Sequence, residues 1–184
     1  NALAFLAEDI EVLLALIQLL LARSHFLPDP LKLLPCALRA LIHHTLQKAK
    51  MPALLGGNIG LPMLGQEPLP KGGVYVLELS SFQIDLTQSL ACDVAVLTNI
   101  TPDHLDRYDS FEAYAASKAR LFQMQALSGR AVIAIDDDQT RAIAKRVRAQ
   151  LRQVSAAQKG RSGVQVFGGT AYLDGRSAAA QRDW

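Results

Sequence analysis

The sequence predicts an α/β fold built on a mostly parallel sheet flanked by helices. Three observations lead there. Short apolar runs at Val74 to Leu79, Val94 to Leu97 and Ala131 to Ile135 have the length and β-branched content of buried strands. Each run ends in polar residues, Ser80-Ser81, Asn99 and Asp136-Asp137-Asp138, of the kind that turn a chain or cap a helix. The segments between the runs are long enough for the crossover helices that parallel strands require.

Taken in order, the chain begins with a strongly apolar stretch, Val12 to Ala22, interrupted by Gln18. It is short of the roughly 20 residues of a membrane span, so a core or amphipathic helix is expected. A helix is expected over Arg39 to Lys50, on which the adjacent His43 and His44 point in different directions and share no metal role. Lys71-Gly72-Gly73 bounds the strand Val74 to Leu79, and Ser80 to Leu90 reads as a short serine-capped crossover helix leading to a neighbouring parallel strand, Val94 to Leu97. Asp109 to Gln125 reads as a helix with Asp109 as N-cap and Glu112 completing a capping box.

Beyond the third strand, the acidic triplet Asp136 to Asp138 is expected to form a turn and cap a helix rather than to bind metal. That helix is expected over Asp138 to Arg152. Its basic residues, Arg141, Lys145, Arg146, Arg148 and Arg152, lack interleaved aromatics and read as a solvated face. Val164 to Phe167 and Thr170 to Leu173 flank Gly168-Gly169 as in a hairpin, and Asp174-Gly175 marks a further turn.

Composition fits one main domain. With 184 residues, 50% hydrophobic content and a net charge of +2, there is chain enough for a core and no reason to invoke nucleic acid or membrane. Cys36 and Cys92 have no CxxC spacing, so neither a zinc site nor a disulfide framework is indicated, and a reducing cytoplasm is the simplest setting. Asn1 is not an initiator and no signal peptide is apparent, so a piece of a longer protein is expected: residues 1–27 as a remnant or linker, 28–184 as an incomplete central domain.

The chemistry concentrates where two strands end. In open α/β sheets ligands bind outside the carboxyl ends of the strands, so Glu78 and the Thr101 to His104 segment should face one cleft. The helix after Asp109 carries Phe111, Tyr114, Ala115, Leu121 and Phe122 on one stripe, and Lys118 occupies the stripe's remaining place. Such a lysine either packs its stem and extends its ammonium to water, or stays desolvated with a lowered pKa, able to react or to be carbamylated. A carboxylate, an imidazole and an amine in one cleft are the material of metal-assisted phosphoryl transfer.

At these residues the chain resembles the central ATPase domain of the Mur ligases, a P-loop-like fold. Gly56-Gly57-Asn58-Ile59-Gly60 resembles the G-G-N-I-G loop, and Glu78 to Gln83 the E-L-S-S-F-Q segment, of the branch that adds D-glutamate to UDP-N-acetylmuramoyl-L-alanine. The D-H-L-D stretch Asp103 to Asp106 and the downstream Lys118 are shared more widely, and resemble folylpolyglutamate synthases too. The resemblance implies ATP and Mg2+ as cofactors. Glu78 would help hold the magnesium of MgATP, His104 and a carbamylated Lys118 would hold a second magnesium near the acceptor carboxylate, and Asn58, Ser80, Gln83 and His104 would touch the UDP-linked substrate. In that family's reaction ATP phosphorylates the substrate carboxylate, and the amine of D-glutamate displaces phosphate from the acyl phosphate.

One departure from the pattern is severe. The family's phosphate loop, G-T-N-G-K-[ST], falls at Leu31-Lys32-Leu33-Leu34-Pro35-Cys36. No glycine lets backbone N–H groups approach phosphate, Pro35 stands at the lysine position, and Cys36 replaces the metal-binding hydroxyl. Two readings follow: part of an active ligase with a local sequence fault, or an inactive homologue that binds only a ligand or partner. In both, this chain alone is expected to be inactive, with the D-glutamate-binding C-terminal domain absent.

Overall fold

A computed structural model describes residues 30–58, 62, 65–155, 164–167, 170–173 and 176–180. The elements run α1 (Pro30–Lys48), β1 (Ala53–Gly57), β2 (Val74–Glu78), α2 (Ser81–Leu86), β3 (Val94–Leu97), α3 (Phe111–Gln123), β4 (Arg130–Ala134), α4 (Asp138–Ala144), β5 (Gln150–Ser155), β6 (Val164–Phe167), β7 (Thr170–Leu173) and β8 (Arg176–Ala180). The expected apolar stretch Val12 to Ala22 and the turn at Asp174-Gly175 lie outside the described residues.

The described strands form two sheets. β1 and β2 pair in parallel, with Gly57 opposite Glu78. β3, β4, β5 and β6 are parallel in that order, and β7 and β8 add antiparallel strands at the edge. The mostly parallel α/β architecture is therefore present, but β2 takes β1 as its ladder partner instead of β3.

Two cores explain how the layers hold. On one side Leu38 and Leu46 of α1 pack with Val76, Val132 and Val154, joined by Leu55, Val94 and Val96, so both sheets share this core. Leu38 and Leu46 are two turns apart on α1, the spacing that keeps one face buried. On the other side α3 and α4 contribute Tyr114, Ala115, Phe122, Ile143 and Ala144 against Ala131 and Ile133. Successive residues of β4 point to opposite cores, which is why this strand reads as continuously apolar. His43 ties α1 to β1 by donating from Nε2 to the Ala53 carbonyl over 3.2 Å.

Several sequence expectations shift. The helix expected from Arg39 begins at Pro30 and takes the backbone of residues 31–36 with it. Ser110, not Asp109, caps α3: its side chain accepts from the Ala113 N–H at 3.1 Å. The helix expected over Asp138 to Arg152 stops at Ala144, and Arg152 lies on strand β5. The expected capping by the acidic triplet is present in detail. Asp137 accepts from the Thr140 N–H at 2.8 Å and from the Ile100 N–H at 3.3 Å, and Asp138 pairs with Arg141.

Candidate functional site

The site grows from the carboxyl end of β2. Gly57, at φ +102°, lies so close to this strand that a Cβ there would stand 2.0 Å from the Glu78 carbonyl oxygen, which explains the glycine. The next N–H, of Asn58, donates to the same oxygen at 2.6 Å. The backbone of Asn58 is thus fixed beside Glu78, with its side chain exposed. The Glu78 Oε2 atom is buried without a hydrogen-bond partner among the described residues. A buried carboxylate oxygen left in this state is costly unless a cation or donor completes it.

Two residues on, Ser80 opens α2. Its hydroxyl accepts from the Gln83 N–H at 3.3 Å, and Gln83 Oε1 accepts from the Ser80 N–H at 3.0 Å. This capping box explains the S-S-F-Q spacing physically: serine and glutamine satisfy each other's helix-end donors. The Gln83 amide oxygen and backbone N–H are used within this capping box.

Residues 101–110 form an irregular, mostly exposed segment. His104 stands in the left-handed region at φ +53°, held locally by its own N–H to Asp103 Oδ1 at 3.0 Å. Its Nε2 lies 3.5 Å from Asp103 Oδ2, and its ring rests 5.0 Å from the Phe82 ring of α2. Lys118, half-buried on α3, sets its ammonium 5.1 Å from the centre of the Tyr114 ring. Burial pushes the Lys118 pKa below the ordinary amine value, while Asp103 and then Glu78 act against that shift by favouring its charge.

The structure therefore brings Lys118 within electrostatic reach of Glu78, and His104 joins them through Asp103 and Phe82 rather than by direct contact. Among the described residues no group of three or more His, Cys, Asp and Glu side chains gathers as a metal site. Asp103, beside His104 and favouring the charge of Lys118, is a candidate that the sequence motifs do not single out. The signal is its place beside His104 within the Thr101 to His104 segment, where a carboxylate could serve a nearby cation.

Residues 37–177 match the family model of the Mur ligase middle domain, and the chain belongs to the Mur ligase family. Within that family, the UDP-N-acetylmuramoylalanine–D-glutamate ligase of Sphingopyxis alaskensis is 68% identical over 117 residues, 64% of this chain and 27% of that protein. The enzyme of the same name from Zymomonas mobilis is 62% identical over 117 residues, 64% of this chain and 26% of that protein. The chain thus spans about a quarter of the length of these relatives. A UDP-N-acetylmuramate:L-alanyl-γ-D-glutamyl-meso-diaminopimelate ligase from Neisseria meningitides has a similar fold, with a TM-score of 0.55 at 16% identity over 76% of this chain and 49% of that one.

Proposed function

We propose that this chain is the central portion of a cytoplasmic ligase that joins D-glutamate to UDP-N-acetylmuramoyl-L-alanine in peptidoglycan precursor synthesis. The relatives bearing that name support the substrate choice, as do the G-G-N-I-G and E-L-S-S-F-Q segments. The observation in the structure that carries the reading is Lys118, an amine drawn out of water beside two carboxylates.

Desolvation enlarges the neutral fraction of this amine, and neutral nitrogen is the form that attacks carbon dioxide. A C–N bond forms as one C–O π bond of carbon dioxide gives its electron pair to oxygen, the nitrogen's proton passes to water, and a carbamate anion results. That anion would join Glu78 and Asp103 in a cluster of negative oxygens, which needs a divalent cation for balance. The unpartnered Glu78 Oε2 fits such a cation. Glu78 would help hold the magnesium of MgATP, and His104 with the Lys118 carbamate a second magnesium, which would supply charge neutralisation to the substrate carboxylate. The chain's own part is positioning: Asn58 at the end of β1, Ser80 and Gln83 at the start of α2, and His104 on the facing segment would bind and orient the UDP-linked substrate.

The phosphate end of ATP does not fit this chain. Helix α1 runs through residues 31–36, and that stretch contains no glycine. This favours a second reading, in which the chain keeps a substrate site but not the nucleotide grip. The first reading is tested in a full-length ligase that carries this central portion behind an intact phosphate loop. There Lys118→Ala is expected to lower incorporation of labelled D-glutamate by about 100-fold or more, with partial rescue by formate or acetate. Undiminished ligation by the alanine variant would sink the assignment.

A further inference from the structure

Of residues 101–110, Tyr108 alone is not exposed. The segment that bears His104 has no regular hydrogen bonding of its own beyond a turn from the Arg107 N–H to the His104 carbonyl at 3.0 Å. Its placement must therefore come from side chains, and Tyr108 supplies the inward contacts. The Tyr108 ring stacks on Phe82, centroids 6.0 Å apart and planes 9° apart. Phe82 in turn carries the His104 ring at 5.0 Å and the Arg107 guanidinium at 4.9 Å. The same Tyr108 ring meets Tyr114 edge-on at 5.4 Å, and Tyr114 lies beneath the Lys118 ammonium at 5.1 Å.

The hydroxyl adds a third grip. It lies 2.8 Å from Asp85 Oδ2 and 3.3 Å from Ser117 Oγ. One hydroxyl carries one proton, so the shorter carboxylate contact takes it. Ser117 donates instead to the Ser81 carbonyl at 3.1 Å, and Arg120 reaches Asp85 and the Thr87 carbonyl, binding α3 to α2 on the same side.

We propose that Tyr108 is a positioning residue that fixes His104 and Lys118 relative to each other, by clamping the 101–110 segment to α2 and α3 at once. Its role in ligation rests on the reading of Glu78, His104 and Lys118 given above, whereas its grip on His104 is a property of the chain itself.

Side-chain NMR of the chain separates the two. The Phe82 ring current is expected to displace the His104 ring-proton resonances from free-histidine values. Tyr108→Phe keeps both ring contacts and is expected to keep that displacement. Tyr108→Leu removes them and is expected to lose more than half of it, with the amide spectrum of the sheets unchanged. If the leucine variant does not fold, Tyr108→Met, which keeps more apolar bulk without a ring, takes its place. In the wild-type chain, through-space contacts from the Tyr108 ring to the Phe82 and Tyr114 rings are required whatever the variants do.

Missing contacts, or a folded Y108L with wild-type His104 resonances, would overturn the proposal. Added Mn2+, a paramagnetic substitute for Mg2+, is expected to broaden His104 and Lys118 signals in the wild type and to broaden only one of the two in Y108L. Equal broadening of both residues in Y108L also overturns the positioning role. No broadening in the wild type defeats the metal-site reading and leaves the ring contacts to decide the clamp.

Discussion

At the scale of single residues, Lys118 sets burial against stability. A lysine whose folded-state pKa is lowered binds fewer protons in the folded than in the unfolded chain over the pH range between the two values. Its burial therefore weakens the fold below the folded pKa, and the penalty is relieved as pH rises toward the ordinary amine value. Lys118→Met is expected to leave the chain as stable as, or more stable than, the wild type at neutral pH, and to flatten the rise in stability on the alkaline side. Urea denaturation across pH checks this, and a clear loss of stability would mean that Asp103 and Glu78 more than offset the desolvation. Gly57 is a structural counterpart. Alanine there would require a positive φ and a 2.0 Å approach to the Glu78 carbonyl oxygen, so Gly57→Ala is expected to destabilise by at least about 2 kcal/mol in the same assay. A neutral result would show that β1 can move away from β2.

At the scale of elements, α3 is only as well placed as its first turn. Ser110 accepts from the Ala113 N–H, so Ser110→Ala is expected to cost about 1 kcal/mol, while Asp109→Ala should change stability far less. Thermal or urea unfolding of the two variants reads the difference directly, and a larger loss at Asp109 would restore the cap expected from the capping-box pattern. That one-residue displacement shows what sequence pattern resolves. β2, β3 and β4 were legible because apolar runs stop at helix-capping residues. β5 was not, because Arg152 and Gln153 continue the polar pattern of the segment before it, and of its six residues only Val154 and Ser155 are buried. β1 was hidden because it ends in Gly56-Gly57, residues that signal a turn, and its pairing with β2 is a tertiary choice. Lys118 stood out by breaking an apolar stripe, whereas Tyr108 lies in a segment with no periodicity against which an inward side chain could register.

At the scale of the whole molecule, the family match begins at residue 37, directly after residues 31–36, where the resemblance places the family's phosphate loop. The described core contacts of α1 come from residues after that stretch. α1 still supplies Leu38 and Leu46 to the core beneath both sheets. Nucleotide binding has no such reserve. A phosphate loop works because several backbone N–H groups converge on phosphate oxygens while a lysine adds charge; in a continuous helix from Pro30, the N–H groups past the first turn are spent on intrahelical bonds. Pro35 contributes no N–H at all. The chain is therefore expected to show no micromolar binding of MgATP by calorimetry. Rewriting residues 31–36 as G-T-N-G-K-S is expected to bring nucleotide binding back before any ligation appears, since the chain spans only about a quarter of the ligases it matches. Micromolar binding by the unaltered chain would mean that the nucleotide is held elsewhere, and would remove the ground for treating residues 31–36 as the lost phosphate site.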